Sequence, residues 1–103
     1  MTNWVKAAFT KDVSDDSIQQ LNINGCKVAL YRCGEEYFAT SDVCTHAYAL
    51  LSDGWLDGYE IECPLHQGKF DVRDGKPLCA PVTDPIRSYP VKIEGGRLYL
   101  QID

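Results

Sequence analysis

The chain has 103 residues, 45% of them apolar, with 15 acidic against 10 basic side chains and a formal charge of −5. This length suits one small domain, residues 1–103, whose modest core would gain stability from a bound metal centre. No apolar run approaches the roughly 18 residues that span a membrane, no signal-peptide pattern opens the chain, and no basic–aromatic pattern suggests nucleic-acid binding.

The first half of the sequence consists of short strand-like segments separated by turn signals, which predicts an antiparallel all-β sandwich or barrel. The pair Asn24-Gly25 is the strongest hairpin signal in the chain, and the segments on either side of it should pair with each other. The predicted elements are, in order, a strand over 4–8, a polar turn over 11–17, strands over Ile18–Ile23 and Cys26–Cys33, and a strand over 37–41 that pairs with this hairpin.

The middle of the chain, from about 43 to 82, is expected to be a loop-rich insertion on this β scaffold. Only two short pieces, 59–63 and 69–72, have strand character there, between breaks at Asp53-Gly54, Asp57-Gly58, Asp74-Gly75 and Pro77. Strands over 86–94 and 97–102, joined by Gly95-Gly96, should close the fold. Their apolar residues alternate and predict one buried face, formed by Val91, Ile93, Leu98, Leu100 and Ile102.

Two cysteine–histidine pairs lie within the insertion, Cys44-Thr45-His46 and Cys63-Pro64-Leu65-His66. They contain both histidines and two of the five cysteines of the chain. Two thiolates and two imidazoles fit a [2Fe–2S] centre with two Cys on one iron and two His on the other. The same donors could hold a tetrahedral zinc, although a spacing of one residue within a pair is unusual for structural zinc. The candidate metal and cofactor ligands are therefore Cys44, His46, Cys63 and His66.

The three remaining cysteines, Cys26, Cys33 and Cys79, are an odd number in a chain without an export signal. This favours free thiols over a disulfide framework. We expect all three to be buried as small apolar residues, with Cys26 and Cys33 at opposite ends of one strand.

The motif Cys44-Thr45-His46, followed after sixteen residues by Cys63-Pro64-Leu65-His66-Gln67-Gly68, resembles the cluster motif of the Rieske family. The segment Cys79-Ala80-Pro81-Val82 is similar to the proline loop that shields the cluster in that family. The resemblance covers nearly the whole chain and is closest to the small ferredoxins of bacterial aromatic-ring-hydroxylating dioxygenases of the naphthalene and biphenyl type. The segments that carry this closer resemblance are 52–58, 62–72 and 88–94.

The resemblance implies a Rieske fold in which an antiparallel β scaffold carries a cluster-binding subdomain. It implies that Cys44 and Cys63 hold an inner iron, and that His46 and His66 hold an outer iron near the surface. The docking surface should then be formed by residues around the cluster loops, namely Tyr48, Leu50, Leu51, Leu65, Gln67, Pro81 and Val82.

The same resemblance indicates a low reduction potential. High-potential members of the family have an extra disulfide and two hydroxyl groups near the cluster sulfurs. The matching positions here are Ala49 and Leu65 for the disulfide, and Gly68 and Phe70 for the hydroxyls.

The implied function is that of a cytoplasmic, monomeric electron carrier between an NAD(P)H-dependent flavin reductase and a terminal oxygenase. We expect no catalytic site, because no histidine remains for a mononuclear iron and no Gly-rich dinucleotide motif follows a strand. Three alternatives stay open: a ferredoxin of an aromatic monooxygenase, a Rieske-like small subunit of a larger reductase complex, and a zinc-binding module.

Overall fold

The computed structural model describes residues 4–45, 48–65, 67–80 and 82–102, and these form eleven short β-strands and two 3₁₀ turns. The prediction of an all-β fold is confirmed. The strands are β1 (Trp4–Phe9), β2 (Ile18–Ile23), β3 (Cys26–Cys33), β4 (Glu36–Ser41), β5 (Trp55–Asp57), β6 (Glu60–Glu62), β7 (Lys69–Asp71), β8 (Pro77–Cys79), β9 (Ser88–Tyr89), β10 (Val91–Glu94) and β11 (Arg97–Gln101). The 3₁₀ turns are Thr10–Asp12 and Leu51–Asp53. None of the helical segments in these ranges could cross a membrane.

The strands form three antiparallel sheets. The terminal sheet has the order β1-β11-β10, the central sheet β2-β3-β4-β9, and the loop-bearing sheet β5-β6-β7-β8. The first two sheets form the scaffold, and the third lies in the region that the sequence marks as an insertion.

The hairpin predicted at Asn24-Gly25 is confirmed with its boundaries. Strands β2 and β3 pair in register up to Ile23 opposite Cys26. Asn24 and Gly25 have φ of 52° and 84°, the left-handed conformations that a type I′ turn requires. The side chain of Asn22 accepts a hydrogen bond from the Gly25 N–H at 3.1 Å, which closes the turn.

Strand β3 is buried on both faces because the central sheet lies between two apolar cores. Val28 and Leu30 point into the scaffold core with Leu98 and Leu100 of β11. Ala29 and Tyr31 point the other way, into a second core that contains Cys44 and Cys63. The continuous apolar run of this strand is the pattern expected of a strand covered on both sides. The second core is therefore the one that positions the candidate ligands.

The single strand predicted over 86–94 is wrong. The structure divides it into β9, which pairs with β4 in the central sheet, and β10, which pairs with β11 in the terminal sheet. Pro90 lies between the two strands and has no N–H to donate to a ladder, so the chain can change sheets there.

The predicted burial of Ile93 is also wrong, because its exposed fraction is 52%. Leu98, Leu100 and Ile102 are buried as predicted, and Ile93 lies directly opposite Leu98. The difference is one of position, since β10 is an edge strand and only its partner β11 is covered on both sides by neighbouring strands.

The middle of the chain is more regular than predicted. The pieces expected over 59–63 and 69–72 are confirmed as β6 and β7, and two further strands, β5 and β8, lie outside them. Pro77, expected to be a break, begins β8. An edge strand accepts a proline because one of its sides makes no ladder hydrogen bonds.

Candidate metal centre

The two candidate cysteine ligands are buried together. Cys44 has an exposed fraction of 5% and Cys63 of 0%, and both belong to the core beneath Ala29 and Tyr31. His46 and His66, the two candidate histidine ligands, lie outside the described residues. The structure therefore shows half of the predicted ligand set, and it shows that half assembled.

The first cluster loop, which we define as residues 43–50, is closed at its base by backbone pairing. Val43 and Leu50 form an isolated antiparallel bridge, and the N–H of Cys44 donates to the carbonyl of Ala49 at 2.9 Å. Cys44 is thus the last residue of the ladder before the tip of the loop.

The second cluster loop, residues 63–68, is closed in the same way. The N–H of Cys63 donates to the carbonyl of Gly68 at 2.7 Å, directly beyond the paired strands β6 and β7. In both loops the hydrogen bond joins a cysteine to the residue five positions later. The two closing hydrogen bonds are therefore equivalent, and each loop holds its cysteine at the base.

The two thiols interact with each other. Burial raises the pKa of the Cys63 thiol to about 11; a backbone hydrogen bond near Leu65 lowers this pKa, and the neighbouring Cys44 side chain raises it. A thiol with such a pKa keeps its proton at neutral pH unless a metal cation replaces it. Two sulfur donors facing each other in an apolar core fit a metal centre, and they do not fit a surface redox site.

A third segment, residues 82–86, covers the cluster loops from the side. The hydroxyl of Thr45 donates to the carbonyl of Asp84 at 3.0 Å, which ties this segment to the first cluster loop. Val82 is buried next to Gly68, where a Cβ atom would lie 2.5 Å from Val82 Cγ1. Pro81, predicted to belong to the shielding loop, lies outside the described residues.

Of the residues predicted to form the docking surface, three are exposed on the two loops and two are buried. Tyr48 is 91% exposed and Leu65 46% exposed, and Gln67 is also exposed. Leu51 and Val82 are buried in the core with the cysteines and cannot contact a partner. Leu50 is half-buried.

None of the five cysteines forms a disulfide, and Cys26, Cys33 and Cys79 are free thiols as predicted. Cys26 and Cys33 are half-buried at the two ends of β3, whereas Cys79 is exposed on β8, contrary to the prediction. The edge position of β8 explains the exposure of Cys79, because no further strand covers it.

One residue that contributes to the site has no obvious signal in the sequence. Asp42 is fully buried two positions before Cys44, and its carboxylate accepts hydrogen bonds from Ser52 and Gln20. Its position next to a ligand pair is visible in the sequence, but an aspartate there reads as an ordinary turn residue.

Comparison with known proteins agrees with this site. A family model described as the Rieske [2Fe-2S] domain matches residues 3–90. The chain is 48% identical over 101 residues to the ferredoxin component of the naphthalene 1,2-dioxygenase/salicylate 5-hydroxylase systems of Ralstonia sp., an alignment that covers 98% of this chain and 97% of that protein.

Two solved structures share the fold. The ferredoxin of carbazole 1,9a-dioxygenase from Nocardioides aromaticivorans IC177 superimposes with a TM-score of 0.94 at 33% identity, covering 98% of this chain and 99% of that one. A chain from a complex of reduced oxygenase and oxidized ferredoxin in carbazole 1,9a-dioxygenase gives a TM-score of 0.91 at 39% identity, covering 95% of this chain and 92% of that one.

The family match and the paired buried thiols point to the same cofactor, one Rieske-type [2Fe–2S] cluster. The chain therefore belongs to the Rieske [2Fe–2S] family and, within it, to the ferredoxin components of aromatic dioxygenase systems.

Proposed function

We propose that this protein carries single electrons from an NAD(P)H-dependent flavin reductase to the terminal oxygenase of an aromatic-ring-hydroxylating dioxygenase system. The observation that carries the proposal is the pairing of two buried thiols, Cys44 and Cys63, at the bases of two loops that are closed by equivalent hydrogen bonds and carry the exposed side chains of Tyr48 and Leu65. The names of the relatives as ferredoxin components support the same role.

For the cluster we propose four ligands, Cys44 and Cys63 on one iron and His46 and His66 on the other. When bound, the cluster takes up and releases one electron. The role of the protein is to keep the two sulfur ligands away from water, and the burial of Cys44 and Cys63 does so. The loops that carry all four residues belong to one proposed Rieske domain over residues 1–103.

The protein acts as a carrier and leaves the oxygen chemistry to its partner. Its relatives are ferredoxin components, which supply electrons to a separate oxygenase. The sequence has two histidines, and both belong to the proposed ligand set. No histidine is then left for the 2-His-1-carboxylate iron site that activates oxygen in such oxygenases.

The proposed partners also suggest where the chain works and in what form. An NAD(P)H-dependent reductase draws on the cytoplasmic nucleotide pool, so we place the chain in the cytoplasm. We propose that it is a monomer, because a carrier must leave the reductase before it meets the oxygenase. Redox encounters of this kind bury little surface and are short-lived.

A reconstituted electron-transfer chain tests the proposed function. The protein is mixed anaerobically with NADH and the flavin reductase of an aromatic dioxygenase system, and its visible absorption is followed before and after the terminal oxygenase is added. We expect bleaching on reduction and recovery when the oxygenase is added. If the reduced protein is not reoxidised by the oxygenase, the proposal is wrong.

A second candidate is the transfer of electrons to an aromatic hydroxylase. The Ralstonia relative is named for a naphthalene 1,2-dioxygenase and a salicylate 5-hydroxylase system together, so one ferredoxin of this type is associated with two kinds of oxygenase. The same experiment with a hydroxylase in place of the dioxygenase distinguishes the two candidates. The oxygenase that reoxidises the reduced protein faster is the favoured partner.

The exposed rim around the loops provides a test of docking. Leu65→Glu places a charge within the apolar surface and should slow transfer to the oxygenase about fivefold or more, as loss of an interface hot spot does. The visible spectrum should not change. Stopped-flow reoxidation of the reduced protein measures the rate.

Ile93→Glu is the matched control, because Ile93 has a similar exposed fraction, 52%, and lies on β10 of the terminal sheet. It should leave the rate unchanged. Equal slowing by both variants would show that the exposed residues of the cluster loops are not the docking surface.

A further inference from the structure

Asp42 is a buried carboxylate beside the first cluster loop. Its side chain is 0% exposed, and no other charged residue in the described ranges is buried. Burial of an ionised carboxylate costs free energy unless donors surround it. Three donors do so here, and all three are neutral groups of Ser52 and Gln20.

The contacts with Ser52 close the base of the first cluster loop. Asp42 Oδ1 accepts the N–H of Ser52 at 2.7 Å, and Oδ2 accepts its hydroxyl at 2.8 Å. The backbone carbonyl of Asp42 accepts the N–H of Leu51 at 2.7 Å. Asp42 thus holds both residues that follow the loop, immediately outside the bridge between Val43 and Leu50.

Asp42 also attaches the loop to the scaffold. Its Oδ2 accepts the side-chain amide of Gln20 on β2 at 3.1 Å, and its N–H donates to the carbonyl of Lys27 on β3 at 2.9 Å. Asp42 therefore joins the two ends of the first cluster loop and also attaches this loop to the central sheet.

The second cluster loop needs no such residue. It lies between β6 and β7, whose ladder pairs Glu62 with Lys69 directly at its base. The first loop has a strand, β4, on one side only, and a 3₁₀ turn, Leu51–Asp53, on the other. Paired strands continue from the base of the second loop, whereas at the first loop the backbone pairing ends at Asp42 and Leu51. The hydrogen bonds from Ser52 to the Asp42 carboxylate extend it by one residue.

We propose that Asp42 is a positioning residue for the metal centre: it fixes the base of the first cluster loop so that Cys44 keeps its place relative to Cys63. The inference rests on the ligand set proposed above. Asp42 acts through its hydrogen bonds with Ser52 and Gln20. These three residues then belong to the outer groups that keep metal ligands in orientation.

The test compares cluster retention in the holoprotein. Asp42→Asn keeps the shape of the side chain, but its amide nitrogen cannot accept a hydrogen bond from Ser52 Oγ or Gln20 Nε2. We expect loss of the visible absorption in the presence of an iron chelator to become about tenfold faster or more, the usual effect of removing such a partner. The EPR spectrum of the reduced protein should change in line shape.

Ser52→Ala is the milder variant, which removes one donor and keeps the N–H. It should accelerate cluster loss about fivefold, as expected for one hydrogen bond, and its effect should not add to that of Asp42→Asn. If Asp42→Asn does not accumulate with a cluster, Ser52→Ala decides the question. A wild-type rate and spectrum in Ser52→Ala would then overturn the proposal.

Asp15→Asn is the charge-matched control. The Asp15 carboxylate also accepts two backbone N–H groups, from Asp16 and Gly34, but it lies at the far end of the hairpin that β2 and β3 form. It should leave cluster loss and the spectrum unchanged, even where the unfolding temperature falls. Equal acceleration by Asp15→Asn would show a general stability effect and overturn the proposal. Wild-type protein without a cluster would instead contradict the proposed function.

Discussion

Gly68 is the residue at which the second cluster loop and the covering segment come closest. It is buried, and its carbonyl accepts the hydrogen bond from Cys63 that closes the loop. The side chain of Val82 occupies the space in which a Cβ of residue 68 would lie. The absence of a side chain at this position therefore lets the covering segment pack on the loop that carries Cys63.

We predict that Gly68→Ala destabilises the holoprotein by about 1–3 kcal/mol, as overpacking of a filled core does. The measurement is the temperature at which the visible absorption is lost. Val82→Ala in the same chain removes the Cγ1 atom that the new methyl group meets at 2.5 Å. The double variant should be more stable than the sum of the two single effects predicts. Strict additivity would show that the two residues do not share this space.

At the scale of elements, the agreement between sequence and structure depends on what each segment contacts. The hairpin of β2 and β3 was predictable because Asn24-Gly25 specifies its turn locally. The change of sheets at Pro90 was not, because it depends on which strands lie alongside β9 and β10. The burial of Leu51 likewise follows from the packing of its 3₁₀ turn against the cysteine core.

The turn between β7 and β8 is stabilised by an ion pair. The Asp71 carboxylate accepts hydrogen bonds from the Arg73 guanidinium at 2.8 and 3.0 Å and from the Arg73 N–H at 2.9 Å. The Arg73 side chain, opposed by some desolvation, holds the pKa of Asp71 below its ordinary value. A carboxylate with a lowered pKa stabilises the fold above its unfolded pKa, and this contribution is lost as the pH falls through the folded pKa.

We predict that Asp71→Asn costs about 1 kcal/mol or less at neutral pH, because the Arg73 side chain of this ion pair is 53% exposed and solvent screens its charge. The difference in urea midpoint between the wild type and this variant should stay constant down to about pH 4 and then shrink. A difference that grows on acidification would contradict the account of this turn.

For the molecule as a whole, the terminal sheet packs on one side of the central sheet and the cluster loops pack on the other. Strand β3 contributes side chains to both cores. The loops that carry Cys44 and Cys63 therefore pack on one face of the strand whose other face packs on the terminal sheet. The fold class was predictable from the strand periodicity and turn signals, whereas the four-ligand set stays a prediction. The hydrogen bonds of Asp42 with Gln20 and Ser52 were not predictable, because these three residues lie on different elements and no local sequence pattern marks them.

The low reduction potential that the resemblance to the Rieske family implies stays a prediction. Ala49, Gly68 and Phe70 occupy positions near the two loops, are buried, and have neither hydroxyl nor thiol groups. Hydrogen bonds to the sulfurs are among the factors that set the potential within a range of about −150 to +300 mV. We expect a midpoint near the bottom of this range in a potentiometric titration, and a midpoint well above zero would contradict the expectation.

The most direct test of the account is electron–nuclear double resonance on the reduced protein grown with ¹⁵N-labelled histidine. The sequence has two histidines, His46 and His66, so the label marks the two proposed nitrogen ligands and nothing else. The account predicts strong coupling of two ¹⁵N nuclei to a [2Fe–2S] cluster. A reduced cluster without coupling to labelled nitrogen, or protein that holds neither iron nor acid-labile sulfide, would contradict it.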